Sequence, residues 1–159
     1  GTFDRESLVQ HLISFWPDMG KGKPYVVCTG GEPALQLDSG LVDALHIAGF
    51  EVAIETNGTL PLPENLDWIC LSPKGASDLV ITRCDELKLV YPQPAAMPER
   101  FVNIQATHRY LQPMAINPQT NHPMISSDQQ NPVQDTVRYC LENPEWKLSL
   151  QTHKWLGID

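Results

Sequence analysis

Five residues, Thr29-Gly30-Gly31-Glu32-Pro33, sit directly behind the apolar run Tyr25-Val26-Val27-Cys28. A short β-branched and aromatic run that breaks into Gly-Gly reads as a buried strand ending in a tight turn. Adjacent glycines let the backbone come close to a ligand and aim successive N–H groups at it. Glu32 adds a carboxylate beside those amides, and Pro33 stiffens the exit from the turn. Donor amides next to a carboxylate suit a ligand that carries a carboxylate and an ammonium on one carbon, as an amino acid does. The same five residues also suit an ordinary strand-to-helix turn.

Polar groups recur at the ends of later apolar runs. Glu55-Thr56-Asn57-Gly58-Thr59 follows Val52-Ala53-Ile54, and Ser72-Pro73-Lys74 follows Trp68-Ile69-Cys70-Leu71. Leu87 to Tyr91, Arg109 to Met114 and Leu148 to Lys154 are further strand-like runs. Parallel α/β sheets and βα-barrels place their ligands at such C-terminal strand ends. Glu55 can accept two N–H bonds from a guanidine-like ring edge, or one from a ribose hydroxyl. A solvated strand end explains it equally well. Ser72 can bond a ribose or carboxylate oxygen, and Lys74 supplies positive charge. Lys88 interrupts an apolar run and points either into a barrel or outward. In a strand, Gln151 and His153 share one face and Lys154 takes the other. Asn57-Gly58 is a turn dipeptide.

The elements that must position these residues alternate along the chain. The pattern predicts a helix over Asp4–Phe15, a strand over Tyr25–Cys28, a helix from a cap at Asp38 or Ser39 through Ala48, and a strand over Glu51–Glu55. Trp68–Leu71 and Glu86–Tyr91 follow as strands, with Asp78–Arg83 open between helix and strand. A short helix near Ala95–Glu99 is expected, then strand-like residues at Phe101–Gln105 and Tyr110–Gln112. Residues 117–132 read as a polar loop. A helix over Gln134–Glu142, with Val133, Val137 and Leu141 on one face, leads to a last strand over Trp146–Leu150. Strands alternating with helices imply an α/β fold.

Of the 159 residues, 42% are hydrophobic and 19% charged, as in an ordinary globular domain. The net charge of −8 offers no broad basic surface, so nucleic-acid binding is not expected. No apolar run approaches the roughly 20 residues of a membrane helix, so no membrane association is expected. Cys28, Cys70, Cys84 and Cys140 are scattered and form no disulfide framework, which suits a reducing, cytoplasmic location.

Together these residues resemble the radical S-adenosylmethionine (SAM) superfamily and, more narrowly, its 7-carboxy-7-deazaguanine synthase family. The segments that carry the resemblance are Thr29 to Pro33, Glu55 to Thr59, Ser72 to Lys74, Gln112-Pro113-Met114 and Leu150 to Lys154. The resemblance implies one radical SAM core domain over residues 1–159, an incomplete (βα)6 partial barrel. It implies that Gly30, Gly31, Glu32, Ser72, Pro73, Lys74 and Gln112 meet SAM, and that Thr29, Glu55 and Gln151 meet substrate. The implied reaction converts 6-carboxy-5,6,7,8-tetrahydropterin to 7-carboxy-7-deazaguanine with loss of ammonia. It uses SAM, a [4Fe–4S] cluster and Mg2+, an electron donor such as flavodoxin, and a homodimer.

The family's cluster needs three closely spaced cysteines upstream of the Gly-Gly-Glu-Pro strand. No cysteine lies among the 24 residues before Tyr25. The expectation is therefore an N-terminally truncated chain, without the first strand and cluster loop, with no metal ligands of its own and inactive alone. An activating-enzyme type of radical SAM protein, or a cluster-less fragment without catalysis, are the alternatives.

Overall fold

The computed structural model describes residues 2–16, 22–115, 131–152 and 156–157. His153, Lys154 and most of the expected 117–132 loop lie outside them. Six strands, β1 (Tyr25–Cys28), β2 (Glu51–Thr56), β3 (Trp68–Leu71), β4 (Arg83–Tyr91), β5 (Gln105–Pro113) and β6 (Trp146–Leu148), form one sheet in chain order. Every neighbouring pair is parallel. All six C-terminal ends therefore emerge on one side, as in the wall of a βα-barrel. The α/β expectation is met.

The helices are fewer than a (βα)6 alternation implies. Helix α1 (Arg5–Ser14) precedes the sheet, α2 (Ser39–Ile47) links β1 to β2, and α3 (Pro132–Glu142) precedes β6. The β2–β3 and β3–β4 connections contain Pro61, Pro63, Pro73 and Gly75 and hold no helix. Proline lacks the N–H that a helix interior needs. The helix expected near Ala95–Glu99 is instead two 3₁₀ turns, Pro94–Ala96 and Pro98–Phe101. Between them Met97 is extended (φ −71°, ψ 151°), as the residue before a proline prefers.

Several strand boundaries also differ from expectation: β4 starts at Arg83 instead of Glu86, and β5 runs over Gln105–Pro113 instead of Tyr110–Gln112. Phe101–Gln105 is not a strand: Phe101 closes a 3₁₀ turn and β5 begins at Gln105. Residues 78–82 are neither helix nor strand. The last strand stops at Leu148, so Gln151 lies beyond it and the face-sharing argument for Gln151 does not apply.

Register divides the strands into two faces. Glu55, Cys70, Glu86 and His108 pair across on one face, and Leu71, Leu87, Arg109 and Trp146 on the other. The second face is packed. Val42 and Leu45 of α2 and Val9 of α1 cover Val52 and Ile54, while Leu87, Leu89, Leu111, Phe101 and Trp146 form a second cluster. Burying a side chain of this size contributes about 1.5–3 kcal/mol before entropy.

Asp38 starts α2 by accepting from the Leu41 N–H at 2.7 Å. Helix α3 buries an unexpected stripe. Thr136 is fully buried and Tyr139 packs on Tyr91 at 5.0 Å, whereas Val133, Val137 and Leu141 are exposed. The aromatic ring fits the groove beside β4, and the Thr136 hydroxyl lies against the Tyr91 carbonyl.

Candidate active site

All six strand ends contribute to one cleft of about 590 Å³. Thr29, Gly30 and Gly31 come from β1, Glu55, Thr56 and Asn57 from β2, and Ser72 and Lys74 from β3. Lys88 and Val90 of β4, Gln112 of β5, and Ser149, Leu150 and Gln151 after β6 complete it. The lining is mostly polar, and the sheet delivers it because polar residues stand at or just beyond the strand ends.

The Gly-Gly turn faces this space. Gly30 has φ +121°, a conformation that favours glycine, and a Cβ on Gly30 or Gly31 would meet nothing within 4 Å. The backbone is thus bare toward the cleft.

Glu32 is placed differently from expectation. One of its carboxylate oxygens accepts from the Ala34 N–H (3.1 Å) and the Thr56 hydroxyl (2.7 Å), the other from the Asn57 N–H (2.8 Å). It ties the turn after β1 to the end of β2, and it is not among the residues lining the cleft. Pro73 is likewise buried and off the lining, while Ser72 and Lys74 border the cleft. Gly58, at φ +82°, lets the next turn lie against the core, since a Cβ there would collide with Leu71 Cδ1.

Glu55 is the most heavily partnered group on the lining. Its Oε1 contacts Lys88 Nζ, and the Cys70 thiol donates to the same oxygen at 3.8 Å. The Thr29 hydroxyl lies 3.4 Å from Oε2. Burial pulls the Lys88 pKa below the ordinary lysine range, and the adjoining carboxylate works against that pull. Burial first, and the Glu86 charge second, push the Cys70 thiol up. Cys84 is pushed up to about 11, chiefly by burial. Both remain protonated at neutral pH.

The chain is 47% identical to the 7-carboxy-7-deazaguanine synthase of Bordetella pertussis over 155 residues, 98% of this chain and 69% of that protein. It is 52% identical to the synthase of Bradyrhizobium diazoefficiens over 84% of the chain and 59% of that protein. It is 50% identical to that of Caulobacter vibrioides over 96% and 68%. The chain belongs to the 7-carboxy-7-deazaguanine synthase family. It spans between 59% and 69% of the length of these three relatives. Its fold matches the crystal structure of QueE from Escherichia coli, with a TM-score of 0.62 and 23% identity over 94% of this chain and 64% of that one. No family model matches.

Set against this family, the structure brings Thr29, Gly30, Gly31, Glu55, Ser72, Lys74, Gln112 and Gln151 to one cleft. Thr56, Val90, Ser149 and Leu150 also line it and were not singled out in the sequence. Their signal was weak: Thr56 and Val90 fit ordinary strand composition, and Ser149 and Leu150 sit inside a run read as strand. Lys88, open between two orientations, turns inward. Asn57 serves both readings, since its Oδ1 accepts from Thr59 N–H at 2.9 Å while the residue borders the cleft.

The four cysteines are free and lie on different elements, and no group of three His, Cys, Asp or Glu among the described residues could hold a metal. These described residues therefore supply no cysteine set for a [4Fe–4S] cluster. No helix among the described residues is long and apolar enough to cross a membrane.

Proposed function

We propose that the protein acts in the conversion of 6-carboxy-5,6,7,8-tetrahydropterin to 7-carboxy-7-deazaguanine with loss of ammonia, a carbon–nitrogen lyase reaction in queuosine and 7-deazapurine biosynthesis. The observation that carries this reading is the convergence of all six parallel strand ends on one polar cleft, in a chain of this family. The bare amides of Gly30 and Gly31 meet the carboxylate of SAM, which has both a free carboxylate and an ammonium. Ser72 and Gln112 bond its polar oxygens, and Lys74 adds positive charge. Pro73 stiffens that turn. Glu32 acts at one remove, holding the turn that presents the amides. Thr29, Glu55 and Gln151 hold the pterin, whose amino-pyrimidinone edge offers N–H donors to a carboxylate.

SAM, when bound, supplies the hydrogen-abstracting chemistry of the reaction. What these residues do is bind, orient and exclude water. The [4Fe–4S] cluster and Mg2+ belong to the same reading; no group of three His, Cys, Asp or Glu gathers among the described residues, and no step is assigned to either. A flavodoxin-type electron donor, a homodimer, a cytoplasmic location and one core domain over residues 1–159 complete the proposal.

The test is anaerobic reconstitution of the full-length protein with iron and sulfide, followed by assay with SAM, reductant, Mg2+ and the tetrahydropterin. Mass spectrometry should show 7-carboxy-7-deazaguanine. Reductive cleavage of SAM without that product would reject the substrate and keep the cofactor assignment. The absence of both signals from cluster-loaded protein would overturn the proposal.

A further inference from the structure

We propose that Lys88 is a positioning residue that acts through Glu55, holding it ionised with Oε2 turned to the cleft, so that the carboxylate meets one N–H donor of the bound pterin. The inference rests on the substrate reading above. Lys88 and Glu55 are 33 residues apart and lie on β4 and β2, with β3 between them. Cys70 is the register partner of Glu55 on β3, and Ser72, just past the end of that strand, lines the same cleft. Both are small, so the lysine stem crosses β3 without meeting a bulky side chain.

The partners of the two carboxylate oxygens differ. Oε1 is taken from the sheet side by Lys88 Nζ and the Cys70 thiol. A carboxylate oxygen has two acceptor positions; on Oε1 the Lys88 ammonium takes one and the Cys70 sulfur lies at 3.8 Å on the sheet side. Oε2 has Thr29 Oγ1 at 3.4 Å, long for a hydroxyl hydrogen bond, and keeps a position for a ligand. The two-bond clamp that a carboxylate can offer is thereby reduced to a single directed acceptor.

Glu86 also lies on this face, two residues before Lys88, and pairs in register with Cys70. Without the ammonium, the carboxylates of Glu55 and Glu86 would flank Cys70, with Lys74 exposed at the rim and His108 beside Glu86 on β5. A like charge nearby and partial burial both disfavour an ionised Glu55. The ion pair is itself half-buried, with 22% and 31% of the two side chains accessible, so solvent does not replace it freely.

Calorimetric titration of the full-length protein with 6-carboxypterin, a stable oxidised analogue, and separately with SAM tests this. The variants are Lys88→Met, Lys88→Arg, Glu55→Gln and the double change Glu55→Gln/Lys88→Met. Lys88→Gln is carried beside Lys88→Met because it keeps a polar group in a half-buried position. Loss of the lysine should weaken 6-carboxypterin binding about tenfold or more. SAM affinity should stay within about twofold, and it reports that each variant is folded. Lys88→Arg should recover most of the loss. The double variant should bind no more weakly than Glu55→Gln alone, as expected for one residue acting through another.

Equal loss of both ligands, or additive losses in the double variant, would overturn the inference. So would 6-carboxypterin binding untouched by Lys88→Met and Lys88→Gln, with the substrate reading left standing. A wild type that binds SAM but not 6-carboxypterin removes the substrate reading, and this inference with it.

Discussion

On the packed face of the sheet, Val52, Ile54, Leu71, Leu87, Leu89 and Leu111 are inaccessible to solvent. The open face of the same strands carries Glu55, Cys70, Glu86, Lys88, His108 and Gln112. Successive side chains of a strand point to opposite faces, so one strand serves both ends. Leu111 holds the core together while Gln112, the next residue, borders the cleft. The separation has a consequence for energetics. Stability is drawn from apolar area on one face, and polar groups on the other can specialise for a ligand without weakening the core. The two regions meet at the strand ends, where Glu32 ties the glycine turn to the end of β2 through two hydrogen bonds.

The sharpest way to break this comparison is to truncate neighbours. Leu111→Ala should cost about 2–5 kcal/mol in denaturant unfolding, because it removes a fully buried side chain and leaves a cavity. Gln112→Ala should stay within about 0.5 kcal/mol and instead weaken SAM binding. Equal destabilisation by both would show that the two faces are not separable.

Glu32→Ala probes the junction. It leaves the Ala34 and Asn57 N–H groups and the Thr56 hydroxyl without their acceptor, and should cost about 1–3 kcal/mol. SAM affinity should fall with it, measured at a temperature where the variant is folded. A stable variant with normal SAM binding would show that the turn holds itself.

The smallest effect concerns Asp67, at the entry to β3. Burial pushes its carboxyl up, but the Val52 N–H and His46 pull harder, so its pKa lies below the ordinary carboxylate value. A lowered folded-state pKa contributes stability that is present above the unfolded value of about 3.9 and lost as pH falls through the folded value. Asp67→Asn should therefore lower the unfolding free energy at pH 7 by about 1 kcal/mol or less, read as a small fall in Tm. The gap to wild type should close as the pH is taken below about 4. A gap unchanged at low pH would assign the effect to packing instead of charge.

Much of the site was legible because its signals are local. Thr29-Gly30-Gly31, Glu55 and Ser72 each stand directly behind an apolar run, and a strand end can be read from its neighbours. The readings that failed concern direction. Glu32 looked like a free carboxylate beside bare amides, but Thr56 and Asn57, more than twenty residues later, take it up. Val133, Val137 and Leu141 have helical spacing, yet Thr136 and Tyr139 are the residues that the groove beside Tyr91 accepts. The helix read near Ala95–Glu99 became two 3₁₀ turns because Pro94 and Pro98 interrupt it.

The sequence by itself determined the six strands, their polar ends and the glycine turn, because alternation, β-branching and Gly/Pro punctuation are properties of adjacent residues. Only the tertiary structure decided that Lys88 would meet Glu55 and that the six ends would share one cleft. Those facts depend on strand order and register across the sheet, which bring together residues that no local pattern connects.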